Sequence, residues 1–218
     1  FTVGEKMNFR AVSYYLGKIL LILGALMLLP LVVMVYYSLN GFAEASVQSF
    51  LIPIAIIVAM GALLTFKKPK NFNIFAKEGF AICGLAWIIM SLLGALPFVI
   101  SSAIPNYIDA VFETASGFST TGASILTEIH SLPKSILFWR SFTHWIGGMG
   151  ILSFMIAILP KAKGNQMYIM RAEVPGPTAS KVTSKISVSA RILYIIYFVM
   201  TILEIAVLYF GSMISGDN

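Results

Sequence analysis

The stretch Glu113–Leu126 reads ETASGFSTTGASIL. It is small, hydroxylated and glycine-bearing, and it sits in a chain that is otherwise oily. The residues leading into it, YIDAVF (Tyr107–Phe112), are amphipathic at helical spacing. Asn106 or Asp109 stands where such a helix wants a cap, and the acids suit its first turn. About ten helical residues at 1.5 Å rise give roughly 15 Å, half the thickness of a hydrocarbon core. The spacing therefore predicts a short helix that dips into the membrane, turns, and climbs back as extended chain. Irregular backbone at that depth is tolerated only when it is buried in protein or lines an aqueous cavity. In the climbing part, STTGAS, small side chains let carbonyl oxygens point at one axis. Gly122 admits conformations that a side chain forbids, and the hydroxyls of Thr120 and Thr121 add oxygens. A dehydrated alkali cation needs such a cage to replace its water, and the negative end of the short helix favours a cation. The competing interpretation is an ordinary outer turn rich in Ser, Thr and Gly; what flanks the stretch decides between them.

The flanks are membrane spans. The chain is 58% hydrophobic and 11% charged, with mean hydropathy +0.89, whereas soluble domains carry about 25% charged residues. Five apolar runs stand out: Tyr14–Ser38, Phe50–Phe66, Gly79–Ser101, Ser135–Leu159 and Ile192–Gly211. Each is near the roughly 20 residues that cross a bilayer as a helix. The runs are continuous rather than alternating, which disfavours a β-barrel, so the expected fold is an all-α polytopic membrane protein. The net charge of +6 is that of positive-inside loops rather than of a nucleic-acid surface. Lys6 and Arg10 precede the first run; Lys67, Lys68, Lys70 and Lys77 follow the second; Lys161, Lys163, Arg171, Lys181, Lys185 and Arg191 follow the fourth. The other connections carry Glu44, Asp109, Glu113 and Glu128. The positive-inside rule then puts the N-terminus in the cytoplasm and the final SGDN outside. The leading FTVGEK reads as a remnant ahead of a native start at Met7 and is set aside. The single cysteine, Cys83, lies in an apolar run, where a small packing residue is expected.

The fourth run, FWRSFTHWIGGMGILSFMIAILP (Phe138–Pro160), carries Gly147, Gly148 and Gly150 mid-span, which lets helices approach closely or bend. FETASGFSTTGAS followed by LFWRSFTHWIGGMGI and AILP strongly resembles the first pore repeat of the Trk/Ktr/HKT superfamily of potassium transporters, closest to its bacterial TrkH branch. The two leading spans resemble that branch's extra N-terminal hairpin, and the likeness runs from Met7 to Gly211. It implies four covalently linked M1–pore–M2 repeats around one pore in the bacterial cytoplasmic membrane. By motif, Thr120, Thr121, Gly122 and Ala123 match the first filter strand, with main-chain oxygens of the two threonines and Gly122 as potassium ligands. Residues 1–78 would be the tail and hairpin and 79–160 the first repeat. Residues 161–191 would be a cytoplasmic linker, and 192–218 the first helix of a second repeat. One repeat cannot enclose an ion, so the other walls are expected from the remaining repeats. The resemblance also implies a homodimer and a cytoplasmic nucleotide-binding ring of the TrkA type, for which the Pro/Gly/Ser/Thr-rich linker is a candidate docking surface. No phosphate-binding glycine pattern is present in this chain.

Four side chains are weighed individually. Arg140, near the outer start of the fourth span, is expected to snorkel or brace the short helix. Glu113 is expected to brace the strand. His144 has no partner at ligand spacing and reads as a hydrogen-bonded packing residue. Glu204 is an intramembrane acid in the fifth span, which by default suggests function and a partner. Gated potassium permeation is thus the leading expectation, with proton- or sodium-coupled symport behind it. An intramembrane enzyme ranks last, because His144 has no evident nucleophile partner.

Overall fold

The computed structural model of the chain describes residues 7–69, 76–129, 131–148, 150 and 186–215. Eight helices follow in order among them: α1 (Phe9–Leu26), α2 (Leu28–Leu39), α3 (Gln48–Phe66), α4 (Ala76–Gly94), α5 (Leu96–Ile100), α6 (Tyr107–Phe118), α7 (Lys134–Gly148) and α8 (Ile186–Ser215). Four stretches are long and apolar enough to cross a membrane: Phe9–Leu39, Gln48–Phe66, Lys77–Ile100 and Arg191–Gly211. The described part is a helical, multi-pass membrane fold.

Two expected spans are broken helices rather than single ones. A turn at Met27 separates α1 from α2, because Pro30 has no N–H and its ring crowds the carbonyl of Leu26, four residues back. Pro97 acts likewise, and a turn at Ala95 separates α4 from α5. The fourth span also departs from the unbroken run Ser135–Leu159. Its helix ends at Gly148, and Gly150 takes φ +68°, a left-handed conformation that glycine adopts without penalty. The rest of that span, its AILP and the linker up to Lys185 lie outside the described residues. The fifth begins at Ile186, ahead of the expected Ile192.

The N-terminal hairpin is held by close approach of α1 and α3. A Cβ on Gly17 would fall 2.8 Å from the Gly61 carbonyl oxygen, and one on Gly24 would press on Val58. Lipid offers no hydrophobic drive for association, so small residues that let backbones touch are what pack such helices. Asn8 caps α1 through its side chain, while its N–H donates to Glu78 at 3.1 Å. The chain start and the start of α4 therefore share one end of the molecule. Glu44, in the α2–α3 connection, meets Lys134 and Ser135 at the start of α7, so these elements share the other end. The alternation matches the charge-based topology.

Trp139, Phe118 and Phe98 are buried at the centre. The rings of Trp87, Phe118 and Trp139 meet edge to face. Trp139 donates its indole N–H to the Gly94 carbonyl at 2.9 Å. Past the proline break the N–H of Phe98 bonds Ala95 instead, so the indole occupies an oxygen that apolar surroundings would leave unsatisfied. By contrast, α8 exposes most of its described surface. It touches α7 where Trp145 donates to Thr201 Oγ1 and Tyr197 donates to the Trp145 carbonyl.

Candidate functional site

The dipping helix is α6. Of its two candidate caps Asn106 serves, its side chain accepting from the Ile108 N–H at 3.0 Å. Asp109 sits in the first turn. The helix has 12 residues, or about 18 Å. Its depth follows from its contacts. A Cβ on Gly147 would strike the carbonyl of Phe118, and one on Gly117 would strike Thr143. Gly147 lies about 20 Å along α7 from Lys134, at 1.5 Å per residue. The C-terminal end of α6 therefore reaches well below the start of α7, and the chain between them must climb back.

The turn at the bottom is a Schellman motif. Thr120 N–H bonds the Gly117 carbonyl at 2.9 Å, and Thr121 N–H bonds that of Ser116 at 3.0 Å. Thr120 holds the left-handed position at φ +55°, which is uncommon for a β-branched residue. The carbonyls of Ala115, Ser116 and Gly117 are thus committed to the turn. A nearby cation would feel the helix dipole but would not be ligated by them.

The segment then runs exposed and outside any helix from Thr121 to Ile125. Gly122 takes φ +78°. Ser116 Oγ donates to the Ala123 carbonyl at 2.6 Å, so of the four motif residues Ala123 has its oxygen engaged with α6. No hydrogen bond from a described residue reaches the carbonyls of Thr120, Thr121 or Gly122. Between α4 and α6 an open groove of about 530 Å³ runs up to the strand, lined by Trp87, Ser91, Ser116, Ser119 and Thr121 among others.

Glu113 holds the strand in place. Its side chain is 1% exposed. The carboxylate accepts from Ser124 Oγ at 3.0 Å and from the Ile125 N–H at 3.0 Å. It also pairs with Arg140 Nε at 2.6 Å. Short helix, climbing strand and α7 thus meet on one carboxylate through charge-assisted hydrogen bonds. The bracing expected of Glu113 and Arg140 is what their contacts form. His144 Nδ1 lies 3.0 Å from the Arg140 carbonyl, one turn earlier, as a packing residue would. Among the described residues no group of three His, Cys, Asp or Glu side chains is placed to hold a metal. Glu204 is exposed on α8. Sequence reasoning passed over Ser116, Ser124 and Glu44. The first two are hydroxyls inside the motif, and only their distances assign them partners.

These features define a class: a helical multi-pass membrane protein in which a short helix turns back through an exposed segment with three carbonyls that no described residue bonds. The family model described as TrkH, cation transport protein, matches residues 46–216. The chain belongs to this family. It is 36% identical over 215 residues to the Trk system potassium uptake protein TrkH of Salmonella typhimurium, covering 97% of this chain and 43% of that protein. It is 35% identical over 218 residues to an uncharacterized cation transporter of Methanocaldococcus jannaschii, with the same coverages. The crystal structure of the potassium transporter TrkH from Vibrio parahaemolyticus superposes with TM-score 0.68 at 30% identity, covering 90% of this chain and 38% of that one. The chain thus spans less than half the length of these relatives.

Proposed function

We propose that this chain supplies one wall of a potassium-conducting pore, with the carbonyls of Thr120, Thr121 and Gly122 as its contribution to the ion cage. The observation that carries this is the carbonyl accounting. The strand is fixed from behind by Glu113 and Ser116, while three successive oxygens receive no donor from the described residues. A cation stripped of water requires such preset oxygens. Ala123 belongs to the strand, but its carbonyl faces Ser116 and is not a ligand. Potassium is cargo here, and the related potassium uptake proteins support that choice.

The proposal extends to the whole transporter. Residues 1–78 form the hairpin and 79–160 the first repeat. Residues 161–191 would face a cytoplasmic nucleotide-binding ring, and the helix from Ile192 opens a second repeat, with further repeats closing the pore in the cytoplasmic membrane. Homodimerisation is part of the same proposal. Cation-coupled symport is the second reading, and Glu204, an acid on a spanning helix, is the residue it would use.

The test is Gly122→Ser in the full-length transporter. No described atom lies within 4 Å of a Cβ placed there, so the strain is conformational, about 1–2 kcal/mol for an L residue with positive φ. Relieving it turns a carbonyl. The expected result is a reduced potassium-over-sodium uptake ratio with normal insertion. An unchanged ratio would overturn the filter assignment.

A further inference from the structure

α7 begins without a cap of its own. The carbonyl of Pro133 accepts from Ile136 and Leu137, which makes Pro133 the N-cap residue, and its side chain has no oxygen to offer. The N–H groups of the first turn need acceptors from elsewhere. They find Glu44, about ninety residues earlier in the chain. Its carboxylate accepts from Lys134 N at 2.9 Å, from Ser135 N at 3.2 Å and from Ser135 Oγ at 2.6 Å. A carboxylate at a helix N-terminus also meets the positive end of the dipole.

Glu44 lies between two anchored points of its loop. On one side Phe42 N–H bonds the Tyr37 carbonyl, and the Phe42 ring packs edge-on against Tyr37. On the other, Ser46 Oγ accepts from Gln48 N as α3 begins. The loop between α2 and α3 is thus pinned at both ends, and it presents one anion to the outer end of α7. That helix carries Arg140, which sets Glu113, which sets Ser124 and Ile125.

We propose that Glu44 is a positioning residue for the filter: the N-terminal hairpin tethers the outer end of α7 through this carboxylate and so fixes the height of the Arg140–Glu113 brace. The proposal rests on the filter function proposed above. Its test uses the full-length transporter in proteoliposomes, reading the potassium-over-sodium uptake ratio of correctly inserted protein. Glu44→Ala is expected to lower that ratio by about two- to thirtyfold, the range that follows when a coupled residue away from the ligand is changed. Adding Pro133→Asp gives α7 a local cap but no tether. The ratio is expected to stay low in that double variant while thermal stability recovers. A ratio that returns to the wild-type value with the local cap, or that never falls in Glu44→Ala, would show that Glu44 only caps a helix and would overturn the proposal. If Glu44→Ala alone fails to insert, the double variant, in which α7 has its own cap, is read against wild type on the same scale: a fall supports the tether and an unchanged ratio overturns it. Gly122→Ser, run in parallel, separates the two levels. If it too leaves the ratio unchanged, the filter assignment itself fails; if it alone lowers the ratio, only the tether fails.

Discussion

Removing Arg140 tests the brace most directly. Its Nε lies 2.6 Å from Glu113, with Arg140 19% and Glu113 1% exposed. Arg140→Leu leaves a buried carboxylate with only neutral donors, Ser124 Oγ and Ile125 N–H. Breaking a buried pair from one side costs about 3–5 kcal/mol, because the remaining charge is uncompensated. Glu113→Gln should cost less, about 1.5–3 kcal/mol, the worth of hydrogen bonds to a charged group. Arg140 can then turn part of its guanidinium to water, and the amide keeps one acceptor oxygen. In the double variant no anion is stranded, so its cost should fall short of the sum by about 1–3 kcal/mol. The assay is thermal melting of the full-length transporter for the two single variants and the double, with rubidium and sodium uptake measured on each. Both Glu113 variants should also lose selectivity, because one of the two oxygens that hold Ser124 and Ile125 becomes an amide group that cannot accept. Additive costs within about 0.5 kcal/mol, or an Arg140→Leu protein that melts like wild type, would refute the buried-brace argument.

Two further substitutions probe the packing that sets the depth of α6. Gly147→Ala places a Cβ against the carbonyl of Phe118, a backbone neighbour that cannot rotate away; overpacking of this kind should cost about 1–3 kcal/mol and appear as a lower melting temperature. Trp139→Phe keeps the ring contacts but orphans the Gly94 carbonyl, with an expected loss of about 1–3 kcal/mol, and melting that matches wild type would show that the indole hydrogen bond is dispensable.

Much of this architecture was legible in the chain. ETASGFSTTGASIL between two apolar runs implied a dip and a climb, because length and hydropathy fix what can cross or half-cross a bilayer. The breaks at Met27 and Ala95 were also within reach, three and two residues ahead of Pro30 and Pro97 in the sequence. Run length and hydropathy do not register them, because they depend on which carbonyls a proline leaves without a donor. The missing cap of α7 had a signal too, since SLPKS places a proline where Ser, Thr, Asp or Asn usually stands. The identity of the acceptor, Glu44, had none.

What the sequence determined alone is therefore the membrane class, the spans and the place of the STTGAS stretch between two of them. These are set by local composition and periodicity, which each segment carries with it. Tertiary structure decided which carbonyl of the motif is taken by Ser116 and which receive no donor from the described residues. It also decided that Glu113 joins Ser124, Ile125 and Arg140, and that Glu44 reaches Lys134 and Ser135. These contacts join residues from 7 to 91 positions apart. Their distances depend on how helices seat against one another at Gly17, Gly117 and Gly147, and no periodicity along the chain encodes that seating.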